Sequence, residues 1–194
     1  MDLQTLRSSL APLELSPEEQ ERIAGHRVAA VSILLRTDAS SVDVLLIRRA
    51  IVKKDRWSGQ IGLPGGHREE SDASLLATAV RETHEEVGID LELGVETLGR
   101  MEKVQAKARG KMLEMSITPF VFQATEYVTP VPGPEVDVAF WFPLLRARDG
   151  ELDSSHTYRS SHANFHMPAW AFEGCVVWGL TYEILSELNR LVDA

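Results

Sequence analysis

The stretch Arg81-Glu82-Thr83-His84-Glu85-Glu86-Val87-Gly88, RETHEEVG, sets three carboxylates at positions i, i+3 and i+4. Residues before it carry apolar side chains at helical spacing and Gly88 is a suitable C-terminal stop, so the pattern predicts a helix over Asp72–Val87. At about 100° per residue, Glu82, Glu85 and Glu86 fall within an arc of roughly 100°. The apolar stripe of the same helix (Leu75, Leu76, Ala79, Val80, Val87) adjoins that arc, so the carboxylates border the buried side. Two unit charges about 5 Å apart repel by roughly 3 kcal/mol at an effective dielectric of 20. A hard divalent cation relieves that repulsion, since Mg²⁺ takes carboxylate oxygens while keeping waters and bridging to phosphates.

For an isolated ExxEE, good helix formers on a solvated face are the ordinary explanation. The residues upstream favour the metal. Gly65-Gly66 forms a backbone able to pass close to a phosphate, and Asp72 suits the start of the helix. Arg81 is placed to tie the helix back to that loop by charge-assisted hydrogen bonds.

Outward from this helix the chain alternates strand and turn signals. HRVAAVSILLR and VDVLLIRRA read as strands around the turn cluster TDASS, and LPGG ends a short extended piece. GVETLGRMEKVQA and MLEMSITPFVFQA read as two strands around KARGK, TPVPGPE as a loop, VDVAFWF as a strand and TYEILSELNRLV as an amphipathic helix. Trp141 and Trp178 are expected in the core, while the polar stretch SSHTYRSSHANFHM has the length of a substrate loop. Residues 1–25 read as a polar, partly helical arm and 26–194 as one α/β (α+β) domain with a mixed sheet between helices.

The segment GGHREESDASLLATAVRETHEEVGI resembles the Nudix box, whose pattern is G, five residues, E, seven residues, then R-E-U-x-E-E-x-G-U with U aliphatic. Gly66, Arg81, Glu82, Glu85, Glu86, Gly88 and Ile89 match in kind; Asp72 replaces the first glutamate, and Thr83 stands at an aliphatic position. The spacing from Gly66 to Arg81 is one residue longer than the general pattern and, with VVWGLTYEIL near the C-terminus, resembles the coenzyme A diphosphatase branch. The resemblance implies a Nudix-type α/β/α sandwich that hydrolyses a nucleotide-linked diphosphate with Mg²⁺ or Mn²⁺. Carried over, Glu82, Glu85 and Glu86 are the metal ligands and Arg81 orients a glutamate. The general base is Glu86 first, or Glu135 in PVPGPEVDV, whose alternative reading is an exposed loop acid.

For the substrate, the coenzyme A branch carries an Arg-Ser dipeptide and a histidine before GQ and the PGG loop. RRAIVKKDRWSGQIGLPGG keeps Arg49 and Gln60, but Ala50 replaces the serine and Trp57 takes the histidine's place. Arg49, Lys54 and Arg56 belong to a basic cluster suited to an extra phosphate, or to an ordinary solvated loop. Trp57 suits stacking on a base or anchoring by packing. With Gly65 and Gly66 these are the candidate substrate-binding residues. ADP-ribose or a nucleoside diphosphate sugar is the alternative substrate, and a non-catalytic nucleotide-binding module the alternative of another class.

Composition supports a small-molecule substrate. The 194 residues carry a formal net charge of −9, which opposes non-specific binding to nucleic acid, and 44% hydrophobic content fills a real core. The single cysteine, Cys175, excludes an intrachain disulfide, the N-terminus lacks a secretory pattern, and no apolar run is long enough to span a bilayer. These features fit a cytoplasmic protein, either monomer or homodimer.

Overall fold

The structure is a computed structural model that describes residues 2–23, 25–52, 57–108, 111–159 and 164–193. In chain order the elements are α1 (Leu3–Ser9), α2 (Pro17–Ile23), β1 (Arg27–Thr37), β2 (Val42–Arg49), β3 (Ile61–Gly62), β4 (Gly65–His67), α3 (Leu75–Val87) and β5 (Val95–Arg100). They continue with β6 (Val104–Ala108), β7 (Lys111–Ala124), β8 (Val136–Pro143), α4 (Leu144–Arg148), β9 (Asp153–Arg159), β10 (Asn164–Phe172), β11 (Cys175–Trp178) and α5 (Gly179–Asp193).

The main sheet runs β3-β2-β1-β7-β5, with β8 on β2, β4 on β1 and β6 on β7. It is mixed because β1 and β7 pair in parallel (Ile33 opposite Val121) while β1 and β2 pair antiparallel. Both faces of β1 and β2 are covered, which is why they read as nearly continuous apolar runs. Ala30, Leu34, Leu45, Ile47, Phe120 and Phe122 pack with Leu75, Ala79 and Val87 of α3. Ile33, Leu35, Val44, Leu46 and Val121 pack with Ile184, Leu185 and Leu188 of α5 on the opposite face. Each fully buried Val, Leu, Ile or Phe among them contributes roughly 1.5–3 kcal/mol. The result is the expected α/β/α sandwich with a mixed sheet.

Four local expectations differ from the structure. The central helix begins at Leu75, not Asp72, because Ser74 is the cap: its Oγ accepts from the Ala77 amide at 3.1 Å. GVETLGRMEKVQA is two strands: the ladder breaks opposite Pro119, which has no N–H to donate, and Met101 N binds only the Pro119 carbonyl at 2.9 Å. The 154–167 stretch enters a three-stranded sheet, β11-β10-β9, with Tyr158 opposite Phe165; His162 lies outside the described residues. The stretch looks polar in sequence because the side chains that carry this sheet onto the core, Trp170 and Phe172 against Phe142, lie beyond it. Trp170 is therefore the buried tryptophan, whereas Trp141 and Trp178 are half-buried, the first under the Arg36 guanidinium and the second stacked on His156.

The N-terminal segment wraps the sheet edge. Leu6 is fully buried in the cluster on the α5 side, whereas Leu13, Leu15 and Ile23 pack on the α3 side. Between them Ala11 exchanges two backbone hydrogen bonds with Arg100 of edge strand β5 (2.9 and 3.1 Å), covering an otherwise open edge. Ser16 and Glu19 cap α2 reciprocally, and the same Glu19 carboxylate pairs with the buried Arg100 at 2.7 Å. Leu6→Ala is expected to cost about 2–5 kcal/mol, read as a lowered urea midpoint with an unchanged m-value. No loss would mean that the segment adds nothing to the fold.

Candidate active site

The site forms where α3 crosses the start of β4. Gly65 and Gly66 pair with Val31 and Ala30 of β1, so their main chain runs directly over the glutamate face of α3. A β-carbon on Gly66 would lie within 3.0 Å of the Glu82 carboxylate, and Gly65 combines φ 147° with equally close approach to the Ala30 carbonyl. A side chain at Gly65 would collide with the main chain of β1, and one at Gly66 would displace the Glu82 carboxylate.

Arg81 organises this junction. Its Nε and Nη2 donate to the two oxygens of Asp72 (2.9 and 3.0 Å), Nη2 also to the His67 carbonyl (3.1 Å), and Nη1 to Glu82 (3.0 Å) and Glu85 (3.1 Å). The expected tie between helix and loop is thus present, with Asp72 as its main acceptor instead of a helix cap. Asp72 also accepts from the Glu69 amide and the Thr78 hydroxyl, each at 2.9 Å. The Arg81 hydrogen bonds, chiefly, hold the buried Asp72 carboxyl far below the usual carboxylate range.

The three box glutamates occupy different environments. Glu85 is exposed, Glu82 is mostly covered, and Glu86 is 4% exposed. Glu86 Oε2 accepts from the Gly65 amide at 2.8 Å, and its Oε1 lies 3.7 Å from Arg49 Nη1. Burial pushes the Glu86 carboxyl up to about 7; the Gly65 N–H and Arg49 pull it down, and the charges of Glu82 and Glu135 push it further up. Glu82 is also raised, first by burial and then by Glu85 and Glu135, against the opposing pull of Arg81. Glu135 is therefore brought into the electrostatic field of both, although it is exposed and distant in sequence.

Among the described residues no three His, Cys, Asp or Glu side chains are already arranged to hold a metal ion. Glu82 and Glu85 are turned onto Arg81, and Glu86 onto Gly65 and Arg49. The donor set nevertheless suits a hard divalent cation: it is all-oxygen, lies at a Gly-lined approach, and burial raises the proton affinity of Glu82 and Glu86.

The remaining sequence candidates are placed as follows. Trp57 is half-buried against the cluster of Ala29, Met115 and Ile117. Lys54 and Arg56 lie outside the described residues. His67 faces Arg27, with its Nε2 at 3.1 Å from Nη2, and burial followed by that cation lowers its pKa. Thr83, at the aliphatic position of the box, is fully buried and shares a hydrogen-bonded cluster with the Ser32 hydroxyl (2.7 Å) and the Ala79 carbonyl (2.7 Å). Sequence reading missed Ser32 as its partner, and also Gly133, whose amide donates to the Glu86 carbonyl at 2.8 Å. The visible signal for Gly133 was its position between two prolines just before Glu135.

No helix among the described residues is long and apolar enough to cross a membrane. The NUDIX domain family model matches residues 25–163. A relative from Salmonella dublin, named "Uncharacterized Nudix hydrolase NudL", is 32% identical over 183 residues, covering 90% of this chain and 87% of its own. The solved C. elegans Ap4A hydrolase binary complex superposes with a TM-score of 0.52 at 21% identity, covering 63% of this chain and 84% of that one. A MutT/nudix family protein from Enterococcus faecalis superposes at 0.53 with 19% identity, over 98% of this chain and 68% of its own. These two likenesses show a shared fold. With the glutamate helix beneath Gly65-Gly66, the family-model match and the relative spanning most of both chains, the chain belongs to the Nudix hydrolase family.

Proposed function

We propose that this protein hydrolyses the diphosphate of coenzyme A or an acyl-coenzyme A, with water as nucleophile and Mg²⁺ or Mn²⁺ as cofactor. The supporting observation is the buried Glu86 carboxylate, held by the Gly65 amide in a group with Glu82 and Glu135. Glu82, Glu85 and Glu86 would hold the cation. When bound, it would neutralise diphosphate oxygens, lower the pKa of a water and stabilise the departing phosphate.

The chain's own residues divide the remaining work. Gly65 and Gly66 let a phosphate approach the main chain without steric hindrance. Arg81, anchored on Asp72, restricts the rotamers of Glu82 and Glu85. Glu86 already uses both oxygens, one on Gly65 and one toward Arg49, so the exposed Glu135 is better suited to take a proton from water, with Glu86 as the alternative base. Arg49, with Lys54, Arg56 and Trp57 in the sequence that follows it, would bind the nucleotide end of the substrate.

The substrate is tested by a mass-resolved product assay with Mg²⁺ on coenzyme A, an acyl-coenzyme A, ADP-ribose and a nucleoside diphosphate sugar. The expected products are 4′-phosphopantetheine, or its acyl derivative, and 3′,5′-ADP. Cleavage of ADP-ribose or the sugar nucleotide alone would assign the alternative substrate. Binding of these nucleotides without turnover would support a non-catalytic module.

A further inference from the structure

The last turn of α3 leaves carbonyls without helical partners, as every helix end does. Here the Pro-rich segment supplies the donors: Val131 N binds the Val87 carbonyl and Gly133 N the Glu86 carbonyl, both at 2.8 Å. Pro130, Pro132 and Pro134 alternate with these two donors. Proline restricts itself and the residue before it to extended or turn conformations, and alternate residues of an extended chain face the same way. The segment is therefore preset to offer its amides at 131 and 133 to one surface, at little entropic cost.

Gly133 permits this contact. A β-carbon there would lie within 3.0 Å of the Glu85 carbonyl oxygen, a main-chain atom of the helix that cannot swing aside. Two residues on, the Glu135 carbonyl accepts from Ala50 N at 2.9 Å, just past the end of β2 and next to Arg49. The main chain around Glu135 is thus gripped from two sides, by α3 and by the end of β2.

We propose that Gly133 is a positioning residue for catalysis: by letting the 131–135 segment lie on the last turn of α3, it holds Glu135 beside Glu82 and Glu86. This rests on the reading of Glu135 as the group that takes the proton from water. The segment is then a fixed strap on the metal-binding helix, and a displacement of that helix end carries Glu135 with it.

The test compares the wild type with Gly133→Ala, Glu135→Gln and the double variant, in Mg²⁺, on the nucleotide identified by the product assay. Each single variant is expected to lower kcat by about 10–100-fold with KM changed less than about threefold. The double variant should be no slower than Glu135→Gln, because both changes remove one function. Wild-type kcat in Glu135→Gln would defeat the role assigned to Glu135. Slow Glu135→Gln with a folded Gly133→Ala at wild-type kcat would defeat the positioning role alone, as would losses that multiply in the double variant. Should Gly133→Ala fail to fold, amide hydrogen exchange on the wild type decides: protection at Val131 and Gly133 is expected, and exchange at open-loop rates would overturn the strap.

Discussion

Glu86→Gln is expected to reduce hydrolysis by about 10³-fold or more while stabilising the metal-free protein at pH 8. Both effects have one cause. Glu86 is buried, and its carboxyl is raised to about 7 from an ordinary 4.5, so the folded protein holds a proton there that the unfolded chain has released. Stability therefore falls as pH rises from about 4.5 to about 7, and above that the ionised group costs the fold on the order of 2–3 kcal/mol. Glutamine keeps an oxygen for the Gly65 amide but carries no charge. In EDTA, thermal midpoints of wild type and variant should coincide near pH 4 and separate in favour of the variant by pH 8. Saturating Mg²⁺ should narrow the gap by stabilising the wild type preferentially. A variant less stable than the wild type at pH 8 without metal would mean that Glu86 is already compensated by Arg49 and Gly65.

Arg81→Ala has the second largest expected effect, a loss of about 3–5 kcal/mol, because it leaves the buried Asp72 carboxylate without its cation. The thermal midpoint should fall by roughly 10 °C. Arg81→Lys should recover little, since one ammonium cannot serve the Asp72 carboxylate, the His67 carbonyl, Glu82 and Glu85 together. Adding Asp72→Asn to Arg81→Ala should restore part of the loss by removing the orphaned charge. Asp72 is depressed in the folded state, so its contribution is present above the unfolded value of 3.8 and is lost as pH falls further. The Arg81→Ala penalty should therefore shrink below about pH 4. A penalty independent of both Asp72→Asn and pH would show that Arg81 acts through packing alone.

Much of the fold was legible because its signals are local. The apolar runs of β1 and β2, the period of α3 and Gly88, which ends α3 in the left-handed conformation at φ 66°, depend on residues within one element. Asp72 shows where local reading stops. Both a helix cap and an arginine partner want an acidic residue near a helix start, and the choice turned on Ser74 standing one residue before the first turn. The β9–β10 hairpin was hidden for a different reason: the side chains that carry it onto the core, Trp170 and Phe172, lie beyond residues 154–167, so that stretch holds no apolar alternation of its own. Leu6 carried no signal either, since a single leucine in a polar arm says nothing about the α5 face it reaches.

The sequence by itself determined that Glu82, Glu85 and Glu86 share one helix face beside an apolar stripe, because helical geometry follows from spacing alone. Which of them is buried was decided only by tertiary structure. Glu85 and Glu86 are adjacent and chemically identical, yet 57% of the Glu85 side chain is exposed and 4% of Glu86. The difference arises because β1 holds Gly65 over one side of α3, a contact between segments that no local pattern encodes. The same holds for Glu135, brought to the site by the pairing of β8 with β2 and by the strap at Gly133. Spacing along a chain sets which groups can act together; desolvation and electrostatic coupling depend on distance through space, and only the packed fold sets those.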